Sequence, residues 1–394
     1  MTLKDEQANL QFDDRVSSQP LTRRALLAGA GAAIAATALR PRLARATANT
    51  TFLSARSDEV DNAFATIFDS SGTILSELPL AARGHGAAQH RETREAILFA
   101  RRPGDFFTVL DPVTGLARAT IEAAPNRHFN GHGIFAADGA RLFTTETVSD
   151  SGDGMIGVYD PAVNYARIGE FASGGLDPHD LRLLPDGTLV VANGGLLTDP
   201  AAPGVKLNID TMDSSLAILD PRDGTISASF RMVGEPNQLG LRHLALSSDG
   251  GVAVAMQYEG PDLDRVPLVA FLAPGAGELV ALDPPASVLR ALDHYCGSAA
   301  SDGRILAVTS PRGGCAAFWD LPAQRFLGTV ELADGCGISP TGTEGEFILS
   351  SGLGGMLRCE PDALTADGNA VELLHEVEAS SPTLRWDNHI LRLS

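Results

Sequence analysis

The chain has 394 residues, of which 44% are apolar and 20% charged, so it is able to bury a large core and is not a disordered protein. It carries 30 Lys and Arg against 49 Asp and Glu, a formal net charge of −19 at pH 7. Such an acidic chain is a poor partner for nucleic acid and for anionic membrane surfaces. These two classes of partner are therefore set aside.

The N-terminal region is typical of a twin-arginine export signal. Arg23 and Arg24 lead directly into the apolar, small-residue run 25–39, which is too short and too rich in Ala and Gly to be a membrane span. Small residues near positions 46 and 48 fit a cleavage site. We therefore expect residues 1–46 to be the signal and residues 47–394 to form one periplasmic domain, with 23 basic and 45 acidic residues and a net charge of −22.

Beyond the signal, short strand-like runs recur with Asp-Gly turns, which predict hairpins, at residues 138–139, 186–187 and 249–250. Each hairpin is followed by a run that we interpret as a third strand, ending in Asp-Pro at residues 157–161, 217–221 and 280–284. Weaker versions of this signature occur at residues 109–112 and 317–320. Four antiparallel strands in a unit of about forty to sixty residues indicate a propeller blade.

The number of blades follows from the residues that mark the start of each unit: His85, His132, His179, His243, the His294/Cys296 pair, Cys336 and His389. The last unit has room for one strand only, whereas residues 51–55, 63–68 and 73–78 read as three strands without a partner. We therefore predict an all-β fold, a seven-bladed β-propeller closed by pairing of N- and C-terminal strands in one blade.

The recurrent histidines form the main candidate site, because the segment leading into each innermost strand lies at the central channel. The expected ligand-binding histidines are His85, His132, His179, His243 and His389, with His294, Cys296 and Cys336 as further candidates. Converging imidazole and thiolate groups suit copper, iron or zinc. Among these residues we expect His132, His179 and His243 to be metal ligands, with copper or iron as the cofactor.

An alternative interpretation needs no metal. In WD-type repeats a histidine at this position joins a structural hydrogen-bond network within its own blade, and duplication of the repeat then explains the spacing. The state of the cysteines is a second open question. An exported chain enters an oxidising compartment, where one or two disulfides are expected among Cys296, Cys315, Cys336 and Cys359. Cys296 and Cys336 would mark adjacent blades and suit such a pair.

Long loops on the same face are candidates for the rim of a binding site. A polar insertion after Asn193 carries Lys206, Asn208 and Asp210, which together with Asn193 are expected to contact a ligand. The alternative is a structural loop held by Asx turns and an ion pair. Other rim loops supply charged and polar groups that either grip a carboxylate or an acidic partner, or are only solvated: Arg56, Arg101, Arg102, Glu146, Gln257, Glu259 and Arg312.

Six strings in combination, at residues 131–135, 156–160, 178–181, 190–195, 206–216 and 242–245, resemble the bacterial family called domain of unknown function 1513. The resemblance spans nearly the whole mature chain and implies an exported propeller of the WD or YVTN type. It also implies a link to metal handling, with imelysin-like iron-regulated periplasmic proteins and a di-haem oxidoreductase-like protein as associated proteins. This chain differs from the expected pattern at Asp180 and at Leu196-Leu197, which leaves no histidine near the start of the insertion.

The sequence leaves three functions open. The leading hypothesis is a binding propeller that takes a metal, a small ligand or a partner protein such as an imelysin-like protein. The others are an enzyme, either a metal-dependent oxidoreductase or a lactonase-like hydrolase, and a purely structural or assembly propeller, because one architecture hosts many activities.

Replacing Arg23 and Arg24 together by lysine is expected to keep the protein in the cytoplasm, because the export receptor reads the arginine pair itself and not only its charge. Cell fractionation and immunoblotting measure the distribution. Replacing Arg40 and Arg42 by lysine is the matched control and is expected to leave export unchanged. Equal export of both variants would contradict the twin-arginine assignment.

Overall fold

Seven separate antiparallel sheets make up almost all of the regular structure. A computed structural model of the chain describes residues 50–199, 202, 204–361, 371–375 and 384–394. The expected signal at residues 1–46 lies outside the described residues. Six sheets consist of four consecutive strands each, and they are called blades 1 to 6 in chain order.

Blades 1 to 3 contain the following strands: β4 (Gly84–Gln89), β5 (Ala96–Ala100), β6 (Phe106–Asp111) and β7 (Leu116–Glu122); β8 (Arg127–Phe135), β9 (Leu142–Val148), β10 (Asp153–Asp160) and β11 (Ala166–Leu176); β12 (Pro178–Leu183), β13 (Leu189–Asn193), β14 (Ser215–Leu219) and β15 (Ile226–Phe230). Blades 4 to 6 contain the next twelve: β16 (Leu239–Leu246), β17 (Val252–Tyr258), β18 (Val269–Leu272) and β19 (Val280–Ala281); β20 (Ser298–Ser301), β21 (Ile305–Ser310), β22 (Cys315–Asp320) and β23 (Arg325–Glu331); β24 (Gly335–Pro340), β25 (Phe347–Ser351), β26 (Met356–Cys359) and β27 (Val371–His375).

Blade 7 is built from both ends of the described chain. Its N-terminal strands are β1 (Thr51–Ser57), β2 (Ala63–Asp69) and β3 (Ile74–Leu80), and its C-terminal strands are β28 (Arg385–Trp386) and β29 (Leu391–Leu393), which both pair with β1. Thr51 lies opposite Leu393, and Arg56 lies opposite Trp386. The first strand of each of blades 1 to 6 contacts the first strand of the next, and β29 contacts both β24 and β4. The sheets therefore form a closed ring, which confirms the seven-bladed propeller and its closure by the two ends.

Position within the blade explains burial. The middle strand β5 (AILFA) is buried at every residue, because both faces of its sheet pack against neighbouring blades. The outermost strand β7 exposes or half-exposes every residue. Trp319 of blade 5 is fully buried and donates its Nε1–H to the carbonyl oxygen of Leu282, which follows β19 of blade 4, at 3.1 Å.

The turns follow the sequence signatures. Gly139, Gly187 and Gly250 have φ of +71°, +87° and +90°, which glycine adopts without strain, and this explains the repeated Asp-Gly pairs. In the Asp-Pro signature the aspartate closes an Asx turn: Asp160 Oδ1 accepts a hydrogen bond from the Ala162 amide at 2.9 Å.

One strand assignment was wrong. Residues 280–284 do not end a third strand, since the third strand of blade 4 is β18, in the buried apolar run that precedes them. Val280 and Ala281 instead form the short outer strand β19, and the chain after Pro284 and Pro285 enters the short helix α1 (Ala286–Ala291). The other short helices are 3-10 turns at Pro161–Val163 and Ile209–Thr211. The described part of the chain has no helix with the length and apolar character that crossing a bilayer demands.

Leu393→Ala is expected to lower the free energy of unfolding by about 2–5 kcal/mol, because the side chain is 7% exposed and packs in the cluster of blade 7 and blade 1 that closes the ring. Urea denaturation followed by circular dichroism measures the change. Leu353→Ala is the matched control, since Leu353 is 60% exposed. Equal losses in the two variants would contradict the role of β29 in closure.

Candidate functional site

Five histidines from five blades meet at the centre of the ring. His85, His132, His179 and His243 lie on the first strands β4, β8, β12 and β16, and His389 lies between β28 and β29. The first four are at most 9% exposed. Neighbouring ring centroids lie 4.6 to 5.0 Å apart for His85–His389, His132–His389, His179–His243, His243–His389 and His85–His132. We call these five residues the histidine hub.

Glycine next to the histidines makes this close approach sterically feasible. Gly131, which precedes His132, has φ of +94°, and a Cβ atom there would lie 2.7 Å from Cδ2 of His85. A Cβ atom at Gly86, which follows His85, would lie 2.9 Å from Nδ1 of His132. The Gly-His and His-Gly pairs of the sequence therefore allow imidazoles of adjacent blades to touch.

The hub is electrically neutral at neutral pH. Burial lowers the pKa of His132, His179, His243 and His389 well below the ordinary value, and the neighbouring histidines and arginines lower each of them further. Burial also lowers the pKa of His85, and the hydrogen bond and charge of Asp387 only partly oppose this. Neutral imidazole is the form that binds metal ions.

Polar side chains from other blades contact three of the rings at Nδ1. Nδ1 of His85 lies 3.2 Å from Oδ1 of Asp387, and Nδ1 of His389 lies 3.0 Å from Oγ of Ser298. Nδ1 of His132 lies 3.5 Å from Oδ1 of Asp180. Each partner belongs to a different blade from its histidine. The alternative in which each histidine serves a network within its own blade therefore does not describe these contacts.

His179 is oriented differently. Its Nδ1 lies 3.5 Å from Nη1 of Arg242, which is a donor and never an acceptor. The proton of neutral His179 is therefore placed on Nε2. In His85 the Asp387 carboxylate can only accept, which places the proton on Nδ1 and leaves the lone pair on Nε2.

Four buried ring nitrogens of the hub have no hydrogen-bond partner among the described residues: Nε2 of His132, His179 and His389, and Nδ1 of His243. Two groups of three hub residues place one nitrogen each within 4.8 Å of one another: His85, His132 and His389; and His132, His179 and His243. The nitrogen ligands of a metal ion with bonds of about 2.0–2.1 Å lie closer to one another than 4.8 Å, so small movements of the rings would bring either group to coordination distance. The donor type, charge and convergence of these groups fit a metal.

Two buried carboxylates tie the hub to arginines. Asp387 is paired with Arg83 and, at 3.3 Å, with Arg101. Burial acts to raise the pKa of Asp387, but the His85 hydrogen bond and the positive charges of the two arginines lower it to about 2. Asp387 therefore stays ionised beside His85.

Asp177 is the second buried carboxylate that pairs with two arginines. It is 3% exposed and paired with Arg102 of blade 1 and with Arg242 of blade 4. Burial acts to raise its pKa, but the charges and hydrogen bonds of the two arginines lower it below the ordinary value. The Asp177 carboxylate, which precedes β12 of blade 3, therefore connects Arg102 of blade 1 with Arg242 of blade 4.

Sequence reasoning did not single out Asp177, Asp387, Arg242 or Ser298 as site residues. A signal exists for the two carboxylates, since each stands two residues before a hub histidine, in Asp177-Pro-His179 and Asp387-Asn-His389. Arg242 directly precedes His243 and was visible only as part of a family string. Ser298 has no such local signal, because its role depends on the contact between blades 5 and 7.

The hub lies beside the central channel, a cavity of about 710 Å³. His132 and His389 line this cavity together with residues of the first strands, among them Gly86, Ser298 and Ile338. A ligand that enters the channel therefore reaches two hub histidines directly.

The predicted rim residues of the insertion do not join the hub. Asn193 is fully buried, and its Nδ2 donates to the Ser173 carbonyl at 3.1 Å. Lys206 is paired with Glu259 of blade 4. Asn208 fixes the loop by accepting from the Leu197 amide at 2.7 Å and donating to the Gly195 carbonyl at 2.9 Å, while Asp210 is exposed. The contacts of the first three match the structural alternative of Asx geometry and an ion pair.

The further candidates also lie apart from the hub. Nε2 of His294 lies 2.9 Å from the carbonyl oxygen of Asp264, and its ring packs on Tyr258. Cys296 is buried in the core of blades 3 to 5, with Sγ 3.6 Å from the Leu268 carbonyl. Cys336 instead lies near Asp334, with Sγ 3.7 Å from its carboxylate.

The expected disulfides are not formed. Cys296, Cys315, Cys336 and Cys359 are all free and buried. The sequence had left the pairing open, with Cys296 and Cys336 as compatible positions, and these two thiols contact different partners in different blades. Burial raises the pKa of Cys296 to about 12, so this thiol is unreactive at neutral pH.

Several other rim candidates have structural partners. Nε of Arg56 donates to Glu77 at 2.6 Å, and Glu146 accepts hydrogen bonds from Tyr159 and Arg167 at 2.9 Å. Gln257 donates to the Cys296 carbonyl at 3.0 Å. Arg101 and Arg102 pair with the buried carboxylates described above, and Arg312 lies over the ring of Tyr295 at 4.5 Å.

Fold and site together define a class: a seven-bladed β-propeller with a buried cluster of neutral histidines at its axis. Residues 78–393 match the family described as "Protein of unknown function (DUF1513)". The chain therefore belongs to the domain of unknown function 1513 family, as its sequence strings predicted. A search of curated proteins found no match.

Asp177→Asn is expected to lower the free energy of unfolding by about 3–5 kcal/mol, because it leaves the buried Arg242 guanidinium without its carboxylate. Denaturant titration at neutral pH measures the loss. Asp213→Asn is the matched control: its pair with Arg231 is exposed, so a change within about 1 kcal/mol is expected.

The same contact predicts a pH dependence. Because folding lowers the pKa of Asp177, its stabilising contribution is complete above the unfolded-state pKa of about 3.9 and is lost as the pH falls below it. The difference in stability between wild type and Asp177→Asn is therefore expected to shrink on acidification through this range. A difference that stays constant would contradict the ionised pair.

Proposed function

We propose that this protein is an exported metal-binding propeller that holds a copper ion at the histidine hub, with His85, His132 and His389 as the ligands. The observation that carries the proposal is the convergence of these three neutral imidazoles, in which Nε2 of His132 and Nε2 of His389 are buried without a hydrogen-bond partner among the described residues. The geometry favours this group over His132, His179 and His243, which the sequence had suggested.

Orientation of the rings supports the choice of ligands. In metal sites the second nitrogen of a histidine ligand usually donates to a carboxylate or another acceptor, which fixes the tautomer and makes the ligand more basic. Asp387 accepts at Nδ1 of His85, Oγ of Ser298 lies at hydrogen-bond distance from Nδ1 of His389, and the Asp180 carboxylate lies 3.5 Å from Nδ1 of His132. Arg242 holds the corresponding place at His179 and favours the wrong tautomer.

The cost of the unliganded hub also supports binding. A buried polar atom without a partner costs about 1–3 kcal/mol, and the proposed ligand set contains two such atoms, Nε2 of His132 and Nε2 of His389. A bound cation would satisfy the nitrogens that converge on it. Asp387, which stays ionised, would balance part of its charge.

Donor type favours copper over iron. The three converging groups are all imidazoles, whereas non-haem iron sites of known geometry add a carboxylate ligand. Copper(II) also binds nitrogen sites more tightly than the other divalent first-row metals. Zinc, which prefers the same nitrogen donors, is the second metal to test.

His132→Ala is expected to abolish high-affinity copper binding, because His132 belongs to both groups of converging nitrogens. His389→Ala is expected to do the same, whereas His179→Ala is expected to retain one copper per chain. Copper(II), zinc(II) and iron(II) titrations by calorimetry, with metal analysis after native export, give affinity and stoichiometry.

His294→Ala is the control, since His294 lies outside the hub and should leave binding unchanged. Asp387→Asn removes the carboxylate that orients His85 and that pairs with Arg83 and Arg101, so a loss of about 10–100-fold in affinity is expected. Wild-type copper affinity in His132→Ala would overturn the proposal. Loss of binding in His179→Ala with retention in His389→Ala would assign the metal to the other group.

A further inference from the structure

We propose a second site, distinct from the hub: the cavity of about 400 Å³ on the face that carries the arginines binds a small organic carboxylate. The lining comes from loops of blades 1, 4 and 5 and from strand β28 of blade 7, and it includes Arg83, Arg101, Arg312, Arg385, Tyr295 and Trp386. We call it the arginine cavity. The inference does not rest on the proposed metal site.

Four guanidinium groups in one cavity are notable in a chain whose net charge is −19. Arg83 and Arg101 share the single carboxylate of Asp387, and their side chains remain 52% and 37% exposed. Among the described residues, no carboxylate forms an ion pair with Arg312, which is exposed and stacks on Tyr295. Guanidinium donors therefore remain for an incoming anion, and their planar geometry matches a carboxylate.

Trp386 supplies an independent observation. It lines the cavity and is 1% exposed, yet its Nε1–H has no acceptor among the described residues. A buried indole N–H normally has a partner. A carboxylate oxygen placed between Arg312 or Arg83 and Trp386 would satisfy this donor.

The lining favours a carboxylate over phosphate. Asp61 and Asp334 also line the cavity, and they would repel a doubly charged phosphate more strongly than a single carboxylate group. Pro311 and the half-buried Tyr295 also line the cavity and offer contact to the carbon atoms of an organic acid. A small organic acid uses both features of the cavity, whereas inorganic phosphate uses only its charge.

Titration of the metal-free full-length mature protein with succinate, citrate and inorganic phosphate tests the site. The chain has two tryptophans, and Trp319 lies in the interblade core, so fluorescence of a Trp319→Phe variant reports on Trp386 alone. We expect a saturable change with at least one of the two carboxylates, and calorimetry on the wild type is expected to give the same affinity.

Arg312→Gln is expected to weaken carboxylate binding at least about tenfold, the usual effect of losing a charged hydrogen bond. Arg222→Gln is the matched control, because Arg222 is exposed on a turn of blade 3 and is expected to leave binding unchanged. Trp386→Phe keeps an aromatic ring but removes the Nε1–H donor, so we expect a smaller loss of carboxylate affinity than in Arg312→Gln.

The proposal is overturned if neither carboxylate gives a saturable signal, if Arg312→Gln binds as tightly as the wild type, or if phosphate binds more tightly than both organic acids. Binding that appears only after copper is added would place the carboxylate on a metal and would also overturn it. Retained carboxylate binding in His132→Ala supports it and separates this site from the hub.

Discussion

Closure of the sheet array is the constraint on which the rest of the structure depends. Each first strand contacts the next, and β29 completes the circle by pairing with β1 and contacting both β24 and β4. Only a closed ring places residues from five blades within a few ångströms of one axis. The same closure brings Asp387 and His389 of the last strand segment to His85 of the first complete blade.

Closure also explains the electrostatics of the centre. Burial alone would leave imidazoles neutral and would disfavour ionised carboxylates. Arginines from neighbouring blades keep Asp387 and Asp177 ionised, so negative charge stands beside neutral ligands. This arrangement suits a cation at the hub, and it places guanidinium groups outward, around the arginine cavity. Asp387 lies between the two proposed sites, since it contacts His85 of the hub and Arg83 and Arg101 of the arginine cavity.

The fold was predictable because its signals are local and repeated. Asp-Gly turns and Asp-Pro signatures predicted the four-stranded units, the histidines and cysteines at the start of each unit predicted seven of them, and the unpaired strands at residues 51–78 predicted the closure. The error at residues 280–284 arose where the linking segment of blade 4 carries the same Asp-Pro signature without ending a third strand. In blade 4 the third strand is instead β18, which pairs with β17.

The site was predictable only in part. The five hub histidines were found because they occupy equivalent places in the repeat, and ring closure then brings them together. Which nitrogen each presents depends on Asp387, Asp180, Ser298 and Arg242, contacts between distant segments that no spacing rule reveals. The cysteines show the same limit, since equivalent positions in adjacent blades did not bring the two thiols together.

X-ray absorption spectroscopy of the copper-loaded protein tests the central claim most directly. The account predicts three imidazole nitrogens at about 2.0 Å from the copper ion. A first shell made of oxygen or sulfur ligands, or a protein that retains no copper after desalting, would contradict it.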